Sequence, residues 1–383
     1  MQLDKFDFGR FLHESWQKQP LLIRNPWTSW RNPLEPDELA GLACEGEVES
    51  RLVTRESQRW ELEHGPLTES RFDQLGRAPW TLLVQAVDHH VPAVAALLEP
   101  FRFIPNWRVD DVMVSYAVAG GGVGPHFDQY DVFLVQGLGR RRWQLGGPCD
   151  DATELLPHNH LRLLASFEPT EEWILGPGDI LYVPPRFAHN GIADSDDCMT
   201  YSIGFRAPSR RELIANWCES LVADLEDDDR YSDPDLSLRE NPGEIAPAEI
   251  DRLHAMITER MFERDAFAAW FARYSTAPKN PEIDWRPEEP VTPAELRRLL
   301  ARPVPLLRNP ASRFLFFRQG TDSLSLFVDG ECFACSGDAA SFAERICAQD
   351  SVVLSRDVPP SKPMLDLISK LLNRGSVAFD VEG

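Results

Sequence analysis

Long apolar runs, paired cysteines and positive charge are all scarce in this sequence. No stretch approaches the roughly 20 apolar residues that a helical membrane span needs, so no membrane partner is expected. The opening residues, MQLDKFDFGRF, carry acids and a helical pattern rather than the basic and then apolar blocks of a secretory signal, and a cytoplasmic location is the expectation. The seven cysteines (Cys44, Cys149, Cys198, Cys218, Cys332, Cys335, Cys347) are odd in number and scattered, which argues against a disulfide framework and fits a reducing compartment. Cys332 and Cys335 form a CxxC, but VDGECFAC reads as a turn entering a strand. With no second CxxC or histidine pair to complete a zinc site, the two are read as packing residues. Lysine and arginine total 39 against 61 acids, a net charge of −22. Such a surface repels a nucleic-acid backbone, so no direct DNA binding is expected. A basic protein is an admissible partner, although acidity for solubility alone fits the charge equally well.

What is present is a globular chain of 383 residues, 43% hydrophobic and 26% charged, long enough for two or three cores. Three textures divide it into 1–206, 207–276 and 277–383. The first mixes an N-terminal helical patch, including 81–101, with short β-like runs at 19–25, 111–118, 131–139, 141–146, 171–185 and 199–205. Their Gly and Pro punctuation predicts an antiparallel sandwich or barrel. Next, Ser209 and Glu212 make a capping box ahead of a helix, and helical patterns resume at 247–261 and 264–274. Leu213, Ile214, Trp217, Leu221 and Leu225 form an apolar stripe, which can be intrachain core or a seam to a second copy. A proline-rich linker (276–293) leads to an α+β segment whose pattern resembles a winged helix.

The chemistry gathers around GGVGPHFDQYDVF, 121–133. If 125–135 is a strand, His126 and Asp128 point to one face. Alone the pair means little. GPGDILYVPPRFAHNG adds a turn at Gly178-Asp179, a short strand, a Pro-Pro stop and then His189. Two histidines and one carboxylate on adjacent strands make the facial set that holds Fe(II) with open positions. Zinc more often has a fourth protein ligand or three histidines. The other histidines make poorer sites: His158 and His160 read as an exposed loop, His89 and His90 diverge on a helix, and His13, His64 and His254 are isolated. Iron with three open positions calls for a 2-oxo acid in two of them and O2 in the third. The acid's distal carboxylate then needs a cation. In GRRRW, Arg141 is placed to point inward between outward Arg140 and Arg142, and its fork suits a carboxylate. Gln129, Tyr130 and Asp131 flank the ligands and are expected to line the substrate entry. The glycines ahead of His126 are expected to leave a side-chain-free approach at the mouth.

The spacing of His126, Asp128, Arg141 and His189 resembles the JmjC-type 2-oxoglutarate oxygenases. GGGVGPHFDQYDVFLVQGLGRRRW, GDILYVPP and YSIGFRAPSRREL resemble the bacterial ribosomal oxygenases in particular, and the similarity runs over nearly the whole chain. The resemblance implies a mainly β fold with α: a double-stranded β-helix (the cupin or jelly-roll JmjC barrel), a helical dimerisation segment making a homodimer, and a winged-helix-like C-terminal domain. It implies Fe(II) on His126, Asp128 and His189, 2-oxoglutarate on Arg141 with Ser115 and Ser202, and O2 as oxidant. It further implies hydroxylation of an arginine β-carbon in large-subunit ribosomal protein sixteen, with release of succinate and CO2. Eukaryotic relatives carry lysine where this chain has Arg141. The same iron chemistry on histidine or an N-methyl group, and a non-catalytic metal-binding cupin module, are the alternatives. A zinc or manganese cupin isomerase lacks here the extra histidine and glutamate ligands such sites usually show.

Overall fold

The computed structural model describes residues 2–4, 6–56, 59–76, 78–158, 161–226, 229–300, 304–354 and 360–380. His160 lies outside them. In chain order the first strands are β1 (Leu21–Ile23), β2 (Ser50–Glu56), β3 (Arg59–His64), β4 (Trp80–Val84), β5 (Val109–Ala117) and β6 (Asp131–Leu138). They continue as β7 (Arg141–Pro148), β8 (Glu171–Leu175), β9 (Ile180–Val183), β10 (Phe187–Ala193) and β11 (Cys198–Phe205). Among the described residues they form a sheet ordered β1-β9-β6-β11-β5-β4-β2-β3 and a smaller one ordered β10-β7-β8. All pairings are antiparallel. This is the antiparallel barrel that the strand pattern predicts, in the double-stranded β-helix form that the resemblance implies.

The large sheet is covered on both faces, and period-two alternation sorts its side chains. On β6, Phe133 and Val135 join Phe11, Phe101, Tyr182, Tyr201 and Phe205 in the core under the N-terminal segments. Val132 and Leu134 turn the other way, onto Trp143, Leu145 and Leu181 between the sheets. Each such fully buried large side chain contributes about 1.5–3 kcal/mol relative to exposure. That double coverage explains why β6 reads as a continuous apolar run.

Two local expectations change. The helical reading of 81–101 holds only from residue 87, where short turns Val87–His90 and Pro92–Ala95 begin. Residues Trp80–Val84 instead form β4, hydrogen-bonded to β2 on one side and β5 on the other. An apolar run of that length fits either period, and sheet pairing decides it. The strand expected over 125–135 starts at Asp131. Before it, His126 makes only an isolated bridge to His189.

Beyond β11 come helices Arg210–Ala223, capped by Ser209 and Glu212, then Pro247–Met261 and Arg264–Thr276. The C-terminal part contains β12 (Pro305–Arg308), β13 (Phe314–Arg318), β14 (Ser323–Val328), β15 (Glu331–Ser336), β16 (Ser351–Val353) and β17 (Val377–Phe379). With helices Pro293–Leu299, Asp338–Ala348 and Lys362–Asn373 they enclose a separate core around Leu326, Phe342, Ile346 and Ile368. Asp329 and Gly330, with φ of 50° and 81°, make the hairpin between β14 and β15. Cys332 and Cys335 stand three apart on β15 and so face opposite sides.

Candidate metal centre and substrate cavity

His126 and His189 are joined backbone to backbone. The His126 N–H donates to the His189 carbonyl at 3.0 Å, and the His189 N–H returns to that of His126 at 2.8 Å. Asp128 is tied to the same segment as His189, its carbonyl accepting from the Arg186 N–H at 2.6 Å. The ligand atoms of His126, Asp128 and His189 consequently lie within 4.8 Å of one another. Asp128 Oδ2 is 3.5 Å from His189 Nε2 and 3.9 Å from His126 Nε2.

The ring orientations are set by the opposite nitrogens. His126 Nδ1 contacts the Gly124 carbonyl and His189 Nδ1 the Phe187 carbonyl, each at 2.9 Å. A carbonyl only accepts, so each Nδ1 carries the proton and each Nε2 keeps its lone pair toward Asp128. Burial, and then the neighbouring His126, pushes His189 down to about 4, which keeps its ring neutral for ligation. Two imidazole nitrogens and one carboxylate therefore converge from one side and leave the cavity side free, the donor set and openness that suit Fe(II).

That side is a cavity of about 540 Å³ between the two sheets, lined by all three ligand residues and by Arg141, Ser115, Ser202 and Tyr130. Arg141 projects inward from β7 and is 4% exposed. Its guanidinium sits 5.8 Å from the Trp143 ring, and the Trp143 and His189 rings are 6.0 Å apart. Among the described residues no acceptor reaches Arg141 Nε or Nη2. Its neighbours turn outward, Arg140 and Arg142 pairing with Asp194 at 3.3 and 2.7 Å. A buried cation without a protein partner, on the wall of the cavity that holds the triad, fits the carboxylate of a 2-oxo acid. Ser115, Thr200 and Ser202 project from the paired strands β5 and β11 into the same space.

The three residues after the triad's carboxylate separate. Tyr130 lines the cavity while remaining 43% exposed. Burial, with Asp128 and Asp111 nearby, raises its hydroxyl above the ordinary range, so it stays a donor. Gln129 is exposed and outside the cavity lining. Asp131 corrects the expectation for a substrate-entry residue: it is fully buried on the opposite face. There it accepts from Gln17 Nε2 (2.9 Å), Arg108 Nη2 (2.8 Å) and the Tyr182 hydroxyl (2.6 Å). As the first residue of β6 it obeys the alternation that sends Val132 inward. Besides the ligand Asp128, the acids that line the cavity are Glu49, Asp110 and Asp111. Asp111 was legible in principle, because Asp111, Met113 and Ser115 share one strand face. The glycines ahead of His126 do a different job from the open approach expected of them. A Cβ on Gly122 would meet the Gly191 carbonyl at 2.4 Å, and one on Gly121 the Trp80 carbonyl at 2.3 Å. They allow backbones to pack closely beside the bridged ligand segments.

A double-stranded β-helix with a His-Asp-His face opposite a buried arginine defines a metal-dependent oxygenase of the 2-oxo-acid class. Residues 96–213 match the JmjC domain and residues 255–378 the ROXA-like winged helix. The chain belongs to the JmjC ribosomal oxygenases. It is 42% identical over 322 residues to the ribosomal protein uL16 3-hydroxylase of Escherichia coli K12, covering 84% of each chain. Its structure resembles that of E. coli YcfD with a TM-score of 0.89 at 36% identity, covering 99% of this chain and all of the other. It resembles the same ribosomal oxygenase in complex with cobalt and 2-oxoglutarate with a TM-score of 0.85, at 36% identity and 99% coverage of both chains.

Proposed function

We propose that this chain is an Fe(II)- and 2-oxoglutarate-dependent oxygenase that hydroxylates the β-carbon of an arginine in large-subunit ribosomal protein uL16. The observation that carries this is the unpartnered buried guanidinium of Arg141 sharing one cavity with the His126, Asp128 and His189 ligand atoms. In this reading those three hold the iron, and Arg141, with Ser115 and Ser202, takes the distal carboxylate of 2-oxoglutarate. When bound, iron and 2-oxoglutarate supply the oxidising chemistry: one oxygen atom of O2 enters the substrate C–H bond and the other leaves in succinate, with CO2 released. The chain's own task is to bring the target carbon to the metal and exclude other reactions. Tyr130 and the carboxylates Asp110 and Asp111 are the groups suited to a guanidinium, and the net charge of −22 favours a basic ribosomal protein.

The test is incubation with Fe(II), 2-oxoglutarate and purified ribosomal proteins, followed by peptide mass spectrometry. The expected result is one oxygen mass on a uL16 arginine with matching succinate release. Oxygen on histidine would redirect the target, loss of a methylene would mean demethylation, and absence of succinate would leave a non-catalytic module.

The chain is read as a catalytic barrel (1–206), a helical segment (207–276) and a C-terminal domain (277–383), with the helical segment joining two copies. The apolar stripe on helix Arg210–Ala223 divides. Trp217 packs inward, its ring centroid 5.2 Å from that of Trp270 and 5.7 Å from that of Phe267. Outside, Ile214 (57%), Val222 (66%), Ile257 (64%) and Phe262 (75%) stay exposed in the single chain. Apolar exposure of this extent on neighbouring helices supports coverage by a second copy. Light scattering should give a two-chain mass, and Ile257→Glu with Phe262→Asp should bring it to one chain. No helix among the described residues is long and apolar enough to cross a membrane. A cytoplasmic site of action is proposed with the ribosomal substrate.

A further inference from the structure

Lys279 belongs to the proline-rich stretch that leads to the C-terminal domain, yet its ammonium ends on the catalytic barrel. Its Nζ donates to Asp111 Oδ2 and lies 3.6 Å from Asp110 Oδ1. Both carboxylates line the cavity that holds the metal ligands. Asp111 is 2% exposed, and its further hydrogen bonds come from Gln85 Nε2, at 2.9 and 3.0 Å to its two oxygens. Asp110 has other cations, Arg206 at 3.2 Å and Arg313 at 3.4 Å. Among the described residues, Lys279 is the only cation that pairs directly with Asp111.

The surroundings of Asp111 favour its neutral form. Burial raises its carboxyl above the ordinary range, and Asp110 adds to this, while Lys279 and Gln85 oppose it. Asp88 is also buried beside it on the Val112 N–H, its own carboxyl raised by burial and by Asp111. His89, driven down to about 4 by burial, is a neutral neighbour. Arg51 and Tyr130 line the cavity with it. Without Lys279 the carboxyl of Asp111 would move further toward the protonated acid, and a neutral acid recognises a cation poorly. A lysine suits this position because a flexible stem can carry a point charge in from outside the barrel.

We propose that Lys279 is a positioning residue of the substrate site, holding Asp111 as a fixed carboxylate so that the cavity presents an anion to a cationic side chain. The segment leading to the C-terminal domain thereby completes the catalytic barrel. This rests on the reading that the cavity admits an arginine. The test uses the full-length protein with Fe(II), 2-oxoglutarate and a uL16-derived peptide containing the target arginine. Lys279→Met should raise the peptide KM about tenfold, the equivalent of roughly one lost charge-assisted contact, with little change in kcat. Lys279→Arg should restore most of it. The deficit should narrow as pH rises, because higher pH favours the ionised carboxyl of Asp111 even without the lysine. On an Asp111→Asn background, Lys279→Met should add no further loss, a comparison that stands even if the single variant is poorly folded. An unchanged KM overturns the proposal. So does a lowered KM, which would make Lys279 a competitor of the substrate cation, and so does an equal, pH-independent fall in kcat without rescue. If the wild type itself leaves the peptide unmodified, the substrate reading has failed, and this proposal with it.

Discussion

His126→Ala should abolish peptide hydroxylation and succinate release while the protein stays folded. The side chain is 23% exposed, and its hold on the His189 segment is through the backbone: the paired bonds with His189 survive truncation to alanine. What is lost is one of the nitrogen donors and the ring orientation that the Gly124 carbonyl imposes. Changing even an outer-shell partner of a metal ligand costs about 10–100-fold in affinity or activity. Loss of the ligand itself should exceed this, to the order of a thousandfold in turnover. Turnover assays and metal-binding calorimetry, with circular dichroism as the folding control, check it. Wild-type turnover in this variant would sink the ligand assignment.

Arg141→Met separates ligand binding from stability. In the chain alone the guanidinium is buried with no acceptor at Nε or Nη2 among the described residues. An unpaired buried charge opposes folding, and well-packed apolar replacements of such groups are often neutral or stabilising. The free variant should therefore unfold at the wild-type temperature or above it. Its KM for 2-oxoglutarate should rise by about a hundredfold to a few thousandfold, since removing one partner of a buried charge pair costs about 3–5 kcal/mol. Saturating 2-oxoglutarate at about a hundred times its Kd should stabilise the wild type by about 2.7 kcal/mol, and it should leave Arg141→Met unmoved. Thermal melts with and without the acid decide it. A variant that still melts higher with 2-oxoglutarate would place the carboxylate elsewhere.

Much of the barrel was legible because strand periodicity is local. Val132 and Leu134 against Phe133 and Val135, and Arg141 between two outward arginines, follow from period two once a strand is granted. The unread parts share a cause. β4 carries an apolar run that a helix could equally use, and pairing with β2 and β5 selects the strand. Asp131 looked like a substrate contact because it adjoins the ligands in sequence. Its place on β6 instead turns it into the core, onto Arg108 and Tyr182. Lys279 gave no signal at all, since a lysine among prolines reads as a solvated linker.

By itself the sequence determined the kinds of donor available, the strand alternation that aims each one, and an acidic balance that disfavours a nucleic-acid backbone as partner. These are properties of residue type and of neighbours along the chain. Only the tertiary structure decided which donors meet. The His126–His189 bridge, the carboxylates that face the cavity and the arrival of Lys279 at Asp111 all join segments far apart in sequence. Such meetings depend on how the sheets close and where the C-terminal half docks, which no local pattern encodes.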